Sequence, residues 1–467
     1  MGIKGTAKQS LQSAQTFIER AQQRHLTLAV TGLSRSGKTA FITSLINQLT
    51  QGNDAEHLPL FDVVRERRLL SVKQVEQPHF NIAAFRYLSG LKKLSQQPPA
   101  WPEATRSISE IRLQVNYRKS KDSLFGKDSN RLLLDIVDYP GEWLLDLPMM
   151  KLDFQQWSEQ QWHLLEREPR KARSTQWCQA VLELSGRELD DEIIHELSHD
   201  YARLLKHYKN DLGLSLLQPG RMLMPGDLEG TPALAFFPLP QQMLLDEPEA
   251  KRLWQLLESR YNYYVKNVVG GFYRDHFSRF DQQVILVDCL SPLNEGELHF
   301  REMQQALAQV IESFRYGQQS WLSKLIKPKI ERVLVAATKA DHVTVEQFSN
   351  LTNLLGELVK GAQLFVESHE VTMQSQALAS IRTTRFGHVN HQGKRTPAIK
   401  GQRLIDGKSI TVFPGQVPAK LPNSEYFQQH GFKFLEFAPQ PRSSEYEALP
   451  HIGMDKAMQF LFGDTLK

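Results

Sequence analysis

The sequence is poor in cysteine and has little net charge. Its 467 residues contain two cysteines, Cys178 and Cys289, which lie far apart and offer no disulfide framework. The formal net charge is +4, which is too small for a chain of this length to indicate nucleic-acid binding. We therefore expect a protein of a reducing compartment, the cytoplasm, that has no nucleic acid among its partners.

Long apolar runs are also missing. No run approaches the roughly 18 residues that a membrane-spanning helix needs, and the first residues lack the apolar centre of a secretory signal. The hydrophobic fraction of 41% and the charged fraction of 23% are ordinary for globular proteins. We expect a globular chain without an integral membrane segment, and its length allows two or three structural units.

What the sequence does contain is a phosphate-binding loop. Residues 32–39 read Gly-Leu-Ser-Arg-Ser-Gly-Lys-Thr and fit the pattern G-x-x-x-x-G-K-[ST]. The glycines let backbone amides point at phosphate oxygens, Lys38 would reach the β- and γ-phosphates, and the Thr39 hydroxyl would bind Mg²⁺. The nucleotide contacts predicted from this loop are Ser34, Arg35, Ser36, Gly37, Lys38, Thr39 and Ala40.

The flanks of the loop provide the context that this pattern requires. Residues 26–31 are an apolar stretch of strand formers, and residues 40–49 carry apolar side chains at helical spacing. A strand, a glycine loop and a helix in this order predict a P-loop NTPase, with the positive end of the helix facing the anion. A further helix is predicted for residues 8–23, ahead of the first strand.

A second nucleotide-binding segment is predicted at the end of a β-hairpin. Residues 111–117 alternate apolar and polar side chains and the apolar run 132–137 follows a polar turn, so we expect two antiparallel strands. The second strand ends in Asp-Tyr-Pro-Gly at 138–141, a D-x-x-G sequence. In Ras-type GTPases this aspartate holds Mg²⁺ through water and the glycine amide meets the γ-phosphate. Asp138 is therefore a predicted metal residue, and Gly141 a predicted nucleotide contact.

The predicted catalytic residues are Lys38, Glu142 and Arg106. Glu142 stands where Ras-type proteins keep a glutamine that orients the attacking water. Its carboxylate can accept a hydrogen bond from water but repels the γ-phosphate, so we expect slow hydrolysis or help from another group; a solvent-facing Glu142 is the alternative. Thr105 is the predicted switch I threonine with Ser107 as the second choice, and Arg106 is a candidate arginine finger in cis. A solvated loop is the alternative for this pair.

The guanine base is predicted to lie against a later loop. Residues 338–341 read Thr-Lys-Ala-Asp after the apolar run 332–337, and they resemble the [NT]-K-x-D guanine motif. The Asp341 carboxylate can accept hydrogen bonds from guanine N1–H and N2–H₂, which adenine does not offer in that arrangement. The aliphatic stem of Lys339 can cover the base, and His342 is a candidate neighbour of the base or ribose.

A last strand is predicted to start at residues 377–381. In GTPases the corresponding segment carries a fifth motif, usually Ser-Ala-Lys, whose backbone amide reads guanine O6. We assign Ser380 and Ile381 to this position, although the match to Ser-Ala-Lys is poor and the register is open by one residue.

The order of these motifs predicts an α/β fold of the P-loop NTPase class. We expect a Ras-like G domain with a mainly parallel sheet and one antiparallel strand, formed by residues 1–141 and 281–385. Residues 142–280 have helix-forming composition and helical spacing of apolar residues, and are predicted to be a large α-helical insertion. Residues 386–467 are predicted to form loops and hairpins, with a terminal helix at 454–461.

Three segments carry a resemblance to a known family. The phosphate loop at 32–39, the stretch Asp-Tyr-Pro-Gly-Glu-Trp at 138–143 and Ala-Thr-Lys-Ala-Asp at 337–341 make the chain similar to the YcjX-like family of bacterial P-loop proteins. The resemblance implies a GTP-binding, stress-associated protein with a Ras-like domain and a large helical insertion.

The motifs and the resemblance together favour a GTPase switch. Such a protein binds GTP or GDP with Mg²⁺, hydrolyses GTP, and passes its nucleotide state to an unidentified protein partner through the helical insertion. Two alternatives stay open: a nucleotide-binding scaffold with negligible turnover, which Glu142 suggests, and an ATPase or small-molecule kinase that uses the same loop.

Overall fold

The structure, a computed structural model, covers most of the chain. It describes residues 24–33, 35–52, 54–104, 107–120, 129–184, 190–244, 248–312, 330–367, 371–391, 393–442 and 444–467. The helix predicted at 8–23 and the candidate residues Ser34, Thr105 and Arg106 lie outside the described residues.

A mixed β-sheet forms the centre of the molecule. Its strands are β1 (Arg24–Gly32), β2 (Leu69–Val75), β3 (Ala83–Ala84), β4 (Ser109–Arg118), β5 (Ser129–Asp138), β6 (Gln282–Val287), β7 (Arg332–Ala337) and β8 (Thr372–Ala377). The order across the sheet is β2-β4-β5-β1-β6-β7-β8, with the short β3 beside β4. Strands β5, β1, β6, β7 and β8 run parallel, and β4 runs antiparallel to both of its long neighbours. The predicted α/β class and the predicted hairpin are confirmed.

Helices cover both faces of this sheet. They are α1 (Lys38–Gln51), α2 (Asp62–Arg65), α3 (Tyr87–Ser95), α4 (Phe154–Leu165), α5 (Lys171–Leu182), α6 (Asp191–Asn210), α7 (Gly220–Leu223), α8 (Pro248–Tyr263), α9 (Gly270–Asp275), α10 (Leu290–Glu295), α11 (Glu297–Glu312), α12 (Phe348–Glu367), α13 (Ser424–Gln429) and α14 (Met454–Phe462). A 3₁₀ segment, Gly141–Lys151, follows β5, and a π-helical turn, Tyr264–Val269, continues α8. Among the described residues, we find no helix with the length and apolar character needed to cross a membrane.

A small second sheet lies in the last part of the chain. It contains β9 (Arg385–His391), β10 (Lys394–Gln402) and β11 (Ser409–Val412), paired antiparallel in the order β11-β10-β9. This confirms the hairpins predicted after residue 386, and α14 confirms the predicted terminal helix.

Alternate residues of the central strands face two different cores. Val284 and Leu286 of β6 pack with α1 and α14 on one face of the sheet. Ile285 and Val287 face the other side and join one continuous core with the helices between β5 and β6, including the fully buried Trp157. These helices between β5 and β6, called the helical segment below, therefore pack directly on the sheet. The predicted domain boundaries at 141/142 and 280/281 stay a prediction.

A buried ion pair also fastens the helical segment to the rest of the fold. The guanidinium of Arg170, just before α5, bonds both carboxylate oxygens of Glu302 on α11, with Nη2–Oε2 at 3.0 Å. The amide of Ser215 donates to the same carboxylate at 3.1 Å. Both charged side chains are almost fully buried.

Two sequence predictions need correction. The last strand was predicted to start at residue 377, but β8 ends there, and residues 378–381 form the loop after it. Met373, Gln374 and Ser375 of β8 are only partly buried and the buried Gln376 is polar, so the strand lacks the apolar alternation that would have revealed it. Strand β2 and helix α3 lie in the region 50–103, for which no regular element was predicted.

Candidate functional site

A cavity of about 510 Å³ lies at the carboxyl ends of the parallel strands. Its size is that of a site for a small-molecule ligand, and open α/β sheets bind ligands at this edge. A larger and more open cavity, about 700 Å³, lies near Tyr263 and Phe272 and contains none of the predicted residues. The predicted residues that line the smaller cavity are Arg35, Ser36, Gly37, Lys38, Thr39, Ala40, Glu142, Lys339, Asp341, His342, Ser380 and Ile381.

The phosphate loop connects the end of β1 to the start of α1. Gly37 has φ 80° and stands at the N-cap of α1, where a left-handed conformation favours glycine. A Cβ atom on Gly32 would lie 2.7 Å from the carbonyl oxygen of Leu286, so only glycine fits there. The described first turn of α1 has no acidic residue and no capping side chain. Residues 37–40 line the cavity, so the positive end of this helix can serve an anion bound there.

The D-x-x-G segment packs against the phosphate loop. A Cβ atom on Gly141 would lie 2.1 Å from the carbonyl oxygen of Gly32, so the two backbones are in direct contact. Asp138 ends β5 beside Val30 of β1 and is 2% exposed. Gly141 and Asp138 thus lie next to the loop but do not line the cavity itself. The alternative switch residue Ser107 is exposed and lies outside the lining.

The oxygen donors near the phosphate loop fit a magnesium ion. Thr39 offers a hydroxyl from the first turn of α1, and Asp138 offers a carboxylate from the end of β5. Mg²⁺ prefers oxygen ligands and is usually held by one or two carboxylates together with phosphates and water. Within the described residues no group of three or more His, Cys, Asp or Glu side chains could hold a metal alone. The donor set fits Mg²⁺ held jointly with a nucleotide.

Glu142 faces the cavity and not the solvent. Its side chain is buried, and its Oε1 atom lies 2.6 Å from Nζ of Lys209 at the end of α6. Burial alone would raise the pKa of Glu142, but the positive charges of Lys38 and Lys209 outweigh it and hold that pKa below its ordinary value. Glu142 is therefore ionised at neutral pH, close to the lysine of the phosphate loop.

The carboxylate of Asp341 is held in a fixed orientation. Its Oδ2 atom accepts hydrogen bonds from both the amide and the hydroxyl of Thr383, each at 2.6 Å. Asp341 is 1% exposed, yet it lines the cavity together with Lys38. Oδ2 is thus anchored by the protein, and the other oxygen, Oδ1, lies 3.9 Å from Nε2 of His342. Sequence analysis missed Thr383.

Lys339 is held between two carboxylates. Its Nζ lies 2.7 Å from Oδ2 of Asp288, which follows β6, and 2.9 Å from Oε1 of Glu436 in the last part of the chain. Burial lowers the pKa of Lys339, but the charges of Asp288 and Glu436 dominate and raise it above its ordinary value. The lysine is thus fixed as a cation with its stem along the cavity wall. Asp288 was not among the predicted site residues, although its position as a polar residue directly after a buried strand could have indicated it.

His342 lies under an aromatic neighbour at the same end of the cavity. Its ring centroid is 5.1 Å from that of Phe437 in an edge-on arrangement, and the indole N–H of Trp101 donates to the Phe437 carbonyl. Burial lowers the pKa of His342, so the imidazole is neutral at pH 7. The last part of the chain therefore builds one wall of this end, which sequence analysis did not predict.

The loop after β8 presents backbone amides at the predicted guanine end. The amide of Ala379 donates to the carbonyl of Ile452 and that of Arg382 to the carbonyl of Pro450. Within the described residues, no hydrogen bond is found from the amides of Ser380 and Ile381, which lie between them and line the cavity. Both amides can therefore serve a ligand carbonyl.

Comparisons with known proteins agree with this geometry. A profile of the YcjX-like family, DUF463, matches residues 26–466. The Ras-like GTPase YcjX of Escherichia coli (strain K12) is 44% identical over 459 residues, which cover 97% of this chain and 98% of that protein. The Ras-like GTPase YcjX of Shewanella oneidensis (strain MR-1) is 42% identical over 480 residues, which cover 98% of each chain. The chain belongs to the YcjX-like family.

Proposed function

We propose that the protein is a Mg²⁺-dependent GTPase that acts as a nucleotide-controlled switch. The observation that carries this proposal is the anchored carboxylate of Asp341 in the same cavity as Lys38 of the phosphate loop. One end of the cavity suits a guanine base and the other suits phosphates. Both relatives are named Ras-like GTPases, which supports the assignment.

The guanine end would recognise the base through three groups. Oδ1 of Asp341 would accept hydrogen bonds from guanine N1–H and N2–H₂, while Thr383 keeps the carboxylate in place through Oδ2. An amide of Ser380 or Ile381 donates to guanine O6. The stem of Lys339 covers the ring, because Asp288 and Glu436 hold its ammonium group at the far end.

The phosphate end would bind the triphosphate through backbone amides and one lysine. The amides of residues 35–40 and the positive end of α1 surround the anion, and Lys38 adds a full positive charge. Thr39 and Asp138 would hold the metal, which when bound neutralises charge on the β- and γ-phosphates. The amide of Gly141, whose backbone contacts the loop at Gly32, would meet the terminal phosphate.

Hydrolysis would use Glu142 to orient the attacking water. The buried carboxylate is ionised and can accept a hydrogen bond from that water, while Lys38 stabilises charge on the transferred phosphoryl group. An acidic group beside the γ-phosphate is a poor substitute for a neutral amide, so we expect slow turnover. Arg106 remains a candidate for additional help, from outside the described residues.

The nucleotide state would reach the helical segment through the residues that follow Gly141. A Cβ atom on Gly220 would lie 2.0 Å from the Glu142 carbonyl oxygen, so this backbone contact is close. The Asp146 carboxylate accepts hydrogen bonds from the amides of Gly220 at 2.6 Å and Arg221 at 3.2 Å. A protein partner would read the change on the helical surface. A stress-associated role is part of the proposal and rests on the family resemblance, and a cytoplasmic location is part of it because the chain has only two cysteines.

Nucleotide competition tests the proposal directly. Labelled GTP bound to the protein should be displaced by unlabelled GTP and GDP but not by ATP. Asp341→Asn should weaken guanine binding and reduce this preference, because an amide cannot accept from both guanine donors in the same way. Asp227→Asn changes an exposed carboxylate elsewhere and serves as the control. Equal displacement by ATP would favour an ATPase or a small-molecule kinase.

A scaffold with negligible turnover is the second candidate function. The ion pair between Glu142 and Lys209 favours it, because a paired carboxylate is less available to orient water. Phosphate release from GTP separates the two: measurable Mg²⁺-dependent release supports the GTPase, and binding without any release in the wild type supports the scaffold.

A further inference from the structure

Lys209 brings a positive charge from the helical segment into the nucleotide cavity. It is the second-last residue of α6 and lines the cavity together with Lys38 and Glu142. Its Nζ lies 2.6 Å from Oε1 of Glu142, and the two side chains are 11% and 9% exposed. A nearly buried ion pair at this place needs an explanation, because taking two charges out of water is costly.

The carboxylate of Glu142 creates an electrostatic problem for a triphosphate. It lines the same cavity as Lys38, the lysine predicted to reach the β- and γ-phosphates, so it is close to the predicted position of the terminal phosphate. An unneutralised carboxylate there would repel that phosphate in a site of low dielectric. GDP, which lacks the terminal phosphate, would be much less affected. The charge of Lys209 removes the repulsion, since the pair has no net charge.

We infer that Lys209 is a positioning residue which neutralises Glu142, so that an acidic side chain can occupy the water-orienting position beside the terminal phosphate of GTP. The inference rests on the proposed function. It assigns to the helical segment a part in distinguishing nucleoside triphosphate from diphosphate, and it explains how a carboxylate can replace a neutral amide at this position.

The end of α6 is held in place for this role. The guanidinium of Arg35 in the phosphate loop donates to the carbonyl oxygen of Asn210, at 3.3 Å, next to Lys209. A helix C-terminus is also a favourable place for a cation, because its unpaired carbonyls carry partial negative charge. The helix end that carries Lys209 is thus tied to the phosphate loop. Lys206, one turn earlier on the same helix, is exposed and provides a matched control.

Four variants of the full-length protein test the inference: Lys209→Met, Lys209→Arg, Glu142→Gln and the double variant Glu142→Gln/Lys209→Met, with Lys206→Met as the control. Their affinities for GDP and for a non-hydrolysable GTP analogue are measured with Mg²⁺, and phosphate release is followed in single turnovers. Thermal melting without nucleotide reports whether each variant is folded.

Lys209→Met should weaken binding of the GTP analogue by about tenfold or more and leave GDP affinity unchanged, because Glu142 is then uncompensated. Lys209→Arg should keep the analogue affinity. The double variant should regain most of it, since no charge remains to be neutralised. Lys206→Met should behave as the wild type.

Three results would overturn the inference. One is an equal loss of GDP and analogue affinity in a folded Lys209→Met protein. Another is a double variant that binds the analogue as weakly as Lys209→Met. The third applies if Lys209→Met does not fold, in which case Lys209→Arg and the double variant are compared. A double variant that folds but binds the GTP analogue much more weakly than Lys209→Arg does would contradict the inference. A wild type that binds neither nucleotide would overturn the proposed function as well, which separates the two failures.

Discussion

At the scale of single residues, the site depends on side chains that orient other side chains. Asp341 is anchored by Thr383, Lys339 by Asp288 and Glu436. Thr383 and Asp288 lie outside the cavity lining and Glu436 is part of it, and all three fix the direction of a carboxylate or an ammonium group before a ligand arrives. Preorganisation of this kind lowers the cost of binding.

Thr383 offers a test of this preorganisation. Thr383→Ala removes the hydroxyl that donates to Asp341 but keeps the amide bond, so guanine nucleotide affinity should fall by about tenfold. Thr383→Ser keeps the hydroxyl and should bind like the wild type. Titration with a fluorescent GDP measures both. Equal affinity of the alanine and serine variants would show that the hydroxyl has no orienting role.

Asp146 should make the stability of the fold depend on pH. Burial raises its pKa from 3.8 to about 6, despite hydrogen bonds from Tyr264 and the amide of Gly220. The folded protein therefore keeps this proton to higher pH than the unfolded chain does. The contribution of the protonated Asp146 to the free energy of unfolding is full below about pH 4 and is lost as the pH rises through about 6. The loss amounts to roughly 3 kcal/mol.

Unfolding of the wild type and Asp146→Asn at several pH values measures this effect. Between pH 4 and pH 6 the unfolding free energy of the wild type should fall relative to that of Asp146→Asn. Asn cannot ionise, so its own stability lacks this dependence. Parallel pH profiles for the two proteins would contradict the raised pKa.

At the scale of elements, the helices between β5 and β6 are held by buried and close contacts, so substitutions at these contacts should destabilise the fold. The pair Arg170–Glu302 ties α5 to α11 in a buried environment. Removing the charge of one partner leaves the other as a buried charge without compensation. Glu302→Gln or Arg170→Met should therefore destabilise the protein by about 3–5 kcal/mol. Denaturant unfolding measures it. The exposed pair Arg203–Asp200 is the control, and Arg203→Met should cost less than about 1 kcal/mol.

The glycine contacts between segments give another prediction. Gly141→Ala would push a Cβ atom into the Gly32 carbonyl, so the phosphate loop and the 3₁₀ segment must separate and nucleotide affinity should fall strongly. Gly271→Ala, at a helical position with no atom within 4 Å of the new Cβ, should keep affinity and stabilise α9 by about 0.5–1 kcal/mol. Nucleotide titration and thermal melting of both variants test this. Normal binding by Gly141→Ala would show that the loops can move apart freely.

At the scale of the whole molecule, the shared core limits how the helical segment can respond to nucleotide. Ile285 and Val287 of the sheet and Trp157 of α4 belong to the same buried cluster, so a swing of the helices away from the sheet would expose much apolar surface. We expect amide hydrogen exchange to differ between GDP and a GTP analogue mainly in 141–151, at the end of α6 and in 220–223. Large changes throughout α4 and α8 would instead indicate a rigid-body movement of the helices.

Much of the fold could be predicted because it depends on local patterns. Alternation in β4 and the apolar run of β5 revealed the hairpin, and three short motifs placed the phosphate loop, Asp138 and Asp341 at one edge of a parallel sheet. What local patterns cannot show is which distant residues fill the remaining walls. Lys209 has no neighbour in sequence that marks it, and its function depends on the packing of α6 against the phosphate loop.

Helix α14 makes the core beside the phosphate loop depend on a segment that is synthesised much later than the loop itself. It packs with α1 on the face of the sheet formed by β1 and β6, and Gln282 and Arg332 donate to the carbonyls of Leu461 and Phe460. Strand β1, which leads into the phosphate loop, is synthesised long before α14, so its face of the sheet stays incompletely covered until α14 follows. A variant shortened to end before α14 would carry every nucleotide motif and still lack a helix that packs on their core.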